Sequence, residues 1–162
     1  DIWVHNAEYS PTKLRYGERR ISDKEYDELR KHTPSRKIRQ KVNENNVIGA
    51  DAPAIPGKKI EGSLEADHIV SMDKIAKMEN FDNLSTENQI KVLNYEENFT
   101  GLSKSSNTSK GAKSYSEWTT YKKENIPISM EYKAEMMKKE SALEPVLQGM
   151  IDGLLKEQGV KS

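Results

Sequence analysis

The fold of the central region is set by LEADHIVSMDKI, residues 64 to 75. The segment SLEADHIV predicts a short β-strand, and DKIAKM after it predicts one or two turns of helix. The strand ends in Asp67-His68, where a histidine stands beside a carboxylate. Such a pair fits a metal and catalytic site, and it fits a polar pair at a strand end equally well. The residues downstream therefore decide between the two interpretations.

Composition and charge limit the class of protein. The chain has 162 residues, which suits one domain, or one domain with an additional subdomain. Its hydrophobic content of 34% predicts a modest core. The net charge is zero, but an acidic centre, residues 42–100, lies between two basic segments, residues 11–41 and 101–123. This arrangement suits a protein that holds a cation and approaches phosphates, although solvated helix faces produce such runs as well.

Two classes of structure are excluded by the sequence. There is no cysteine, which rules out disulfide bonds and thiolate zinc sites. There is also no apolar run near the roughly 18 residues that a membrane-spanning helix requires. We therefore expect no membrane segment.

Capping residues predict helices on both sides of the central region. In SDKEYDELRKH, Ser22 is the expected N-cap and Glu25 completes a capping box. The segment STENQIKVLNY predicts another helix, capped by Ser85 or Thr86. We expect SSNTSKGAKS to be a polar turn and YSEWTTYKKE to be a helix.

The C-terminal tail predicts a long helix. The sequence is strongly helical from Ser129 to Gln158, and Pro145 should kink this helix or begin a new one. An apolar stripe follows the proline and comprises Val146, Leu147, Met150, Ile151, Leu154 and Leu155. We expect the stripe to pack on the central region, and the alternative is a face that binds a partner.

A set of polar residues follows about thirty residues after the Asp-His pair. The stretch NFTGLSKSSNTSKGAKS contains Asn98, Asn107 and Lys110, so the chain carries Asp-His, then Asn, then Asn-x-x-Lys-Gly. This pattern resembles the HNH endonuclease motif, also called the ββα-metal or His-Me finger. The block from Leu64 to Trp118, about a third of the chain, is similar to HNH nuclease domains at the C-termini of bacterial polymorphic toxins. One subgroup of these carries the same Asp-His, Asn, Asn and Lys residues.

The resemblance implies an α+β fold. Its ββα-metal (HNH) core would lie within residues 46–125, after an N-terminal helical or linker segment, residues 1–45. A C-terminal helical subdomain, residues 126–162, would pack on that core. Many HNH domains have zinc-binding Cys-x-x-Cys knuckles, but Ser103 and Ser106 stand at the corresponding places here. We therefore expect no structural zinc, and the flanking helices must brace the core.

The resemblance also implies a divalent-cation site. Hydrolysis of a phosphodiester needs an attacking water, a base and a cation that stabilises the transition state. Asp67 and Asn107 would supply oxygen ligands to Mg²⁺, Mn²⁺ or another divalent cation. His68 would be the general base, because imidazole ordinarily titrates near neutral pH. Neighbouring strand residues point to opposite faces, so Asp67 and His68 flank one cleft only if the chain bends at the strand end.

Other positions complete the expected site. Asn98, the middle Asn of the motif, would order the loop that bears the histidine and so support catalysis. Lys110 would contact the scissile or an adjacent phosphate as a point charge. Lys104 and Lys113 would contact the nucleic-acid backbone. Glu65 shares a strand face with the aspartate but ranks below it as a ligand, since HNH motifs seldom use that position.

These expectations converge on a metal-dependent endonuclease, a hydrolase that acts on phosphodiester bonds. Double-stranded DNA is the first expected substrate, because most HNH enzymes cut DNA, and RNA is the alternative. The sequence has no recognition-helix signature or repeat array, so we expect largely nonspecific cleavage. A hypothesis from another class is a noncatalytic helical module that binds a partner through the apolar stripe of the tail.

The family context implies partners and a location. The domain would be the C-terminal toxin module of a larger delivery polypeptide used in competition between bacteria, and the start at Asp1 rather than Met agrees with this. A cognate immunity protein would neutralise the toxin in the producing cell. The antibacterial domain would be secreted or delivered from that bacterium and would act in the cytoplasm of the target cell.

Overall fold

The computed structural model describes residues 16–161 of the chain, with the side chains of residues 16–159. The chain divides into two compact units, each built from discontinuous stretches. The first unit combines Val70–Asn98 with the described residues of Asp1–Ser35 and Glu140–Ser162, and the second combines Arg36–Ile69 and Phe99–Lys139. The sequence predicted an N-terminal helical or linker segment at residues 1–45, and residues 1–15 of it lie outside the described residues.

The described residues form helices and small antiparallel sheets, which is the α+β composition expected from the sequence. Two short 3₁₀ helices lie at Phe81–Asn83 and Glu96–Asn98. In chain order, the other elements are α1 (Asp23–Arg30), α2 (Arg36–Lys41), β1 (Glu65–His68), α3 (Met72–Ala76), α4 (Thr86–Leu93), β2 (Phe99–Leu102), α5 (Lys104–Lys110), β3 (Thr120–Tyr121), β4 (Ile126–Pro127) and α6 (Met130–Lys161).

The N-terminal ends of the helices follow the capping residues of the sequence. The Ser22 hydroxyl accepts a hydrogen bond from the Glu25 N–H at 3.1 Å, and the Glu25 side chain returns to the Ser22 N–H, which confirms the capping box. Ser85 caps α4 by accepting from the N–H of Asn88 at 3.2 Å. These bonds satisfy backbone N–H groups that the first turn of a helix cannot pair.

An apolar core holds the first unit together. Phe81, Ile75, Val92 and Leu93 are completely buried in it. Three residues of the C-terminal apolar stripe, Leu147, Ile151 and Leu154, are buried in the same cluster, with Met150 and Leu155 packed against it. The stripe is therefore part of a core, as predicted, and its buried residues are covered rather than displayed to a partner.

Helix α6 continues through Pro145. The expectation that the proline begins a new helix is therefore wrong. A proline inside a helix removes one backbone hydrogen bond, but the fully buried Leu147 and Ile151 anchor the turns that follow it. Burying one large apolar side chain stabilises the fold by about 1.5–3 kcal/mol, so these two side chains offset the loss of one hydrogen bond.

The second unit contains an antiparallel pair of strands followed by a helix. In the pair, Glu65 lies opposite Leu102 and His68 lies opposite Phe99. Helix α5 begins directly after β2 and contacts both strands. A methyl group added at Gly101 would meet Leu64 at 2.8 Å and the carbonyl oxygen of Val42 at 3.2 Å, so this strand position needs a glycine for close backbone approach.

Two local predictions for the second unit are wrong. SSNTSKGAKS is not a polar turn, because Lys104–Lys110 forms α5 with Ser103 as its N-cap. YSEWTTYKKE is not a helix, because it forms turns that lead into β3. In the latter segment Trp118 is completely buried, and its indole N–H donates to the Ser109 hydroxyl at 2.9 Å. This tertiary contact outweighs the helical spacing of the aromatic residues.

Among the residues that the structure describes, no helix combines the length and the apolar character needed to cross a membrane. The long helix α6 carries charged residues along most of its length.

Candidate functional site

The second unit brings strand β1 and helix α5 together through two pairs of polar side chains. The Nδ2 group of Asn107 donates to a carboxylate oxygen of Glu65 at 2.6 Å. One helical turn further on, the Nζ group of Lys110 lies 3.2 Å from Oδ2 of Asp67. Residues two apart on a strand share a face, and residues three apart on a helix share a side. The spacing of the four residues therefore allows the helix to lie along the strand.

Asp67 is held by a second donor besides Lys110. The hydroxyl of Tyr115 donates to the same oxygen, Oδ2, at 3.0 Å. The side chain of Asp67 is 16% exposed, whereas that of Lys110 is only 6% exposed. Lys110 and Tyr115 both meet Oδ2, so Oδ1 is the oxygen of this carboxylate that a ligand would use.

Tyr115 supports both members of this ion pair. The Nζ group of Lys110 lies 4.6 Å from the centroid of the Tyr115 ring, which is a favourable position for a cation over an aromatic face. Burial raises the pKa of the Tyr115 phenol well above its usual range, and the neighbouring Asp67 carboxylate raises it further. The phenol therefore stays protonated and keeps its role as a hydrogen-bond donor to the carboxylate.

The predicted base, His68, is the last residue of β1. Its imidazole ring packs against the ring of Phe99, its cross-strand neighbour, with the centroids 4.3 Å apart. Asp67, one residue earlier, contacts α5 instead. Neighbouring side chains on a strand point to opposite faces. The side chains of Asp67 and His68 can therefore reach one ligand only at the end of β1.

Asn98 belongs to the first unit, where it is completely buried. Its side-chain oxygen accepts a hydrogen bond from the Val70 N–H at 2.8 Å, and its side-chain nitrogen donates to the Val70 carbonyl at 3.0 Å. One side chain thus pairs both backbone groups of a residue that follows His68 by two positions along the chain. The role of Asn98 in ordering the loop that bears His68 stays a prediction.

Ser103 and Ser106 have a structural role at the start of α5. The Ser103 hydroxyl accepts from the Ser106 N–H at 3.2 Å and donates to the Ser106 hydroxyl at 2.8 Å. Both residues are buried. The pair starts α5 by hydrogen bonding, so the helix that bears Asn107 and Lys110 begins at a fixed residue.

A groove lined by four lysines lies beside the same helix, and we call it the lysine groove. It has a volume of about 330 Å³. Its cationic residues are Lys104 of α5, Lys113 after the helix, and Lys122 and Lys123 in the turn between β3 and β4. The groove thus unites the two predicted backbone contacts, Lys104 and Lys113, with two lysines that lie beyond the block resembling HNH domains.

The oxygen donors at the strand-helix contact fit a hard divalent cation. Asp67 offers a carboxylate oxygen. Asn107 donates a hydrogen bond to Glu65 through its amide nitrogen, and its amide oxygen is the atom that would bind a cation. Mg²⁺ is typically bound through one or two protein carboxylates, with waters and substrate phosphates as its other ligands. Within residues 16–161, no three His, Cys, Asp or Glu side chains form a cluster able to hold a metal ion. The assignment of Asp67 and Asn107 as ligands of Mg²⁺ or Mn²⁺ stays a prediction.

The structure adds Tyr115, Lys122 and Lys123 to the residues that the sequence singled out. It also gives a direct contact to Glu65, which the sequence ranked below Asp67 as a metal ligand. Glu65 contacts Asn107 directly, although its strand position was the only sign of this. Tyr115 follows Lys110 by five residues, and nothing in its sequence context indicated that it would reach Asp67. Lys122 and Lys123 join the lysine groove because the β3–β4 pairing places their turn beside α5.

Comparison with known proteins gives no further identification. No protein-family model, no curated protein and no solved structure matches the chain.

Proposed function

We propose that this chain is a metal-dependent endonuclease of the HNH type. The observation that carries the proposal is the contact between β1 and α5, where Asp67, Asn107 and Lys110 gather after an antiparallel strand pair. The order strand, strand, helix and the residue types at these positions agree with what the resemblance to ββα-metal domains implies. In this proposal the Asp-His pair is a catalytic pair, and a polar pair at a strand end is the alternative.

Asp67 and Asn107 would hold the divalent cation, Mg²⁺ or Mn²⁺. When bound, this cation would stabilise negative charge on the phosphate that is being cleaved. Lys110 is almost buried and already paired with Asp67, so its first role is to balance that carboxylate. A direct contact between Lys110 and a phosphate remains the prediction from the sequence, and it requires the ammonium group to shift from Asp67.

His68 would be the general base. Its imidazole would take a proton from the water whose oxygen attacks phosphorus, and the bond from phosphorus to the leaving oxygen would then break. Packing against Phe99 limits the orientations of the ring. Asn98 would contribute indirectly, because its two hydrogen bonds to Val70 fix the backbone just after His68.

The proposed substrate is double-stranded DNA, with RNA as the second candidate for the same site. Lys104 and Lys113 would contact the sugar-phosphate backbone. Such contacts carry no base information, so cleavage should be largely nonspecific. No feature of the described residues favours the noncatalytic helical module, since the key residues of its proposed docking stripe are buried in the first unit.

The biological setting is proposed from the resemblance alone. The chain would be the C-terminal toxin module of a larger delivery polypeptide and would be neutralised by a cognate immunity protein. It would leave the producing bacterium and act in the cytoplasm of a competing cell.

The proposal is tested with purified protein, supercoiled plasmid and, separately, total RNA, each with Mg²⁺, Mn²⁺ or EDTA. We expect cation-dependent loss of plasmid, and we expect His68→Ala to lower the rate by a factor of about 10²–10⁴, the usual contribution of a general base. His32→Ala is the matched control, because His32 is an exposed histidine of the first unit. Degraded RNA beside intact plasmid would move the substrate to RNA, and two intact substrates under every condition would refute the nuclease.

A further inference from the structure

The lysine groove contains four cations that no carboxylate neutralises. Lys104, Lys113, Lys122 and Lys123 are exposed, and none of them forms an ion pair with a residue that the structure describes. Other lysines of the same unit are paired, for example Lys58, whose Nζ group lies 2.7 Å from a Glu124 oxygen. Like charges in one concave surface repel each other and raise the local concentration of anions. The groove therefore favours a polyanionic ligand.

The remaining lining of the groove identifies the class of anion. It consists mainly of hydroxyl groups, with a single carboxylate, that of Glu61. The aromatic residue in the lining, Tyr121, is 7% exposed, so it offers little apolar surface for a protein partner. Protein interfaces depend on aromatic and apolar anchors, whereas phosphate groups are bound by Lys, Ser and Thr side chains. The hydroxyl lining comprises Ser105, Thr108, Ser109, Thr120 and Tyr121.

Helix α5 connects the groove to the candidate site. At 3.6 residues per turn, Ser105, Thr108 and Ser109 lie on the side of the helix opposite Asn107 and Lys110. Lys104 lies between these two sides. It lines the lysine groove and also a smaller depression, of about 220 Å³, that Glu65 lines. The two depressions share Glu61, Lys104 and Ser105, so Lys104 lies beside the groove and beside the depression that Glu65 lines.

We infer that the lysine groove is a second binding segment for the sugar-phosphate backbone of the nucleic-acid substrate. Lys122 and Lys123, in the turn between β3 and β4, are its outer contacts, and Lys104 joins it to the strand-helix contact. The inference rests on the proposed function for the identity of the ligand. It assigns nucleic-acid binding to a hairpin turn outside the block that resembles HNH domains.

The test measures binding without cleavage. Wild-type protein in EDTA is titrated into a fluorescein-labelled DNA duplex, and anisotropy gives the affinity over a range of salt concentrations. We expect the double variant Lys122→Gln/Lys123→Gln to bind more weakly and to lower the slope of log K against log salt by about 1.8, since each phosphate contact with duplex DNA contributes about 0.9. The variant Lys122→Arg/Lys123→Arg should restore the slope, because it keeps both charges.

A matched control is the double variant Lys91→Gln/Lys156→Gln. Both lysines are exposed residues of the first unit, so this variant has the same net charge as the test variant. Equal slopes for the test and control variants would overturn the inference. Tighter, lysine-dependent binding of poly-glutamate than of DNA would also overturn it, in favour of an acidic protein partner. Lysine-dependent binding by a protein that hydrolyses no nucleic acid in Mg²⁺ would support the groove while refuting the proposed nuclease.

Discussion

The two units of this chain use buried residues in different ways. The first unit is held by apolar side chains, with Phe81, Val92 and Leu147 completely buried in one cluster. Both units also bury polar side chains, but with different partners. Asn98 and Gln89 of the first unit bond to backbone groups. The buried Lys110 of the second unit pairs with a side chain, that of Asp67. Burying a charge is costly unless a partner compensates it. Lys110 has Asp67 as its partner, and under the proposed function this pair belongs to the cation and phosphate site.

Because of this difference, substitutions in the two units should have different consequences. Changes in the apolar core of the first unit should lower the free energy of unfolding and leave the activity of each folded molecule unchanged. Changes among the polar residues of the second unit should affect ligand binding or hydrolysis more than they affect folding. The predictions below test this contrast from the largest expected change in stability to the smallest.

Phe81→Ala should have the largest effect on stability. The side chain is completely buried in the apolar cluster, so its removal leaves a cavity. We expect a loss of about 3–5 kcal/mol in the free energy of unfolding, measured by urea denaturation. The hydrolysis rate per folded molecule should stay at the wild-type value. A loss below about 1 kcal/mol would contradict the assigned core.

Asn98→Ala tests a polar residue that links stability to the proposed base. It leaves the N–H and the carbonyl of Val70 without their side-chain partner. Each unsatisfied buried group costs about 1–3 kcal/mol, so we expect a loss of at least about 2 kcal/mol in the free energy of unfolding. Hydrolysis by the folded fraction should fall as well, because the backbone after His68 loses its support.

Asn94→Ala is the control for that measurement. The Asn94 side chain also pairs two backbone groups, the N–H of Ser35 at 3.1 Å and the carbonyl of His32 at 2.8 Å. It should lower stability without lowering the rate per folded molecule. Equal rates for the two alanine variants would mean that Asn98 has only a structural role.

Tyr115→Phe removes one hydroxyl and keeps the ring. The variant loses the hydrogen bond to Asp67 but retains the aromatic face near Lys110. We expect a loss of only about 0.5–1.5 kcal/mol in stability, together with weaker binding of the divalent cation. Isothermal titration with Mn²⁺ measures the second effect. Tyr121→Phe is the control, and equal Mn²⁺ affinities for the two variants would exclude a positioning role for Tyr115.

Alkaline pH gives the smallest expected effect, in the first unit. Burial, with a hydrogen bond to Glu97, raises the pKa of Tyr95 to about 12. An unfolded tyrosine titrates near pH 10, so the folded state holds this proton more tightly. The contribution of Tyr95 to stability is fully present below about pH 10 and is lost as the pH rises toward about 12.

The check compares the free energies of unfolding of the wild type and Tyr95→Phe between pH 8 and pH 11.5. The difference between the two proteins should shrink above about pH 10. A difference that is constant over this range would contradict the raised pKa of Tyr95.

The sequence predicted the elements whose patterns are local. Ser22, Glu25 and Ser85 start helices as expected, and the stripe at Leu147 and Ile151 packs into a core. Capping and helical periodicity depend on residues within a few positions of each other, and such patterns can be read from one sequence.

The sequence failed where distant contacts decide the structure. The segment around Trp118 has helical spacing but forms turns, because the indole binds Ser109 and is buried. The contact of Tyr115 with Asp67 joins residues 48 positions apart, and no local pattern encodes it. Residue types and order therefore singled out Asp67, Asn107 and Lys110, whereas the pairing of Lys110 with Asp67 and the contact of Tyr115 required the fold.

The most direct test of the account is whether Asp67 holds a divalent cation. Electron paramagnetic resonance of free Mn²⁺ can count the ions bound by the wild type, by Asp67→Asn and by Glu61→Gln, a control at an exposed carboxylate of the same unit. Circular dichroism verifies that each variant is folded. The account predicts one site in the wild type and in Glu61→Gln, and its loss in Asp67→Asn. No bound Mn²⁺ in the wild type, or unchanged binding in Asp67→Asn, would contradict it.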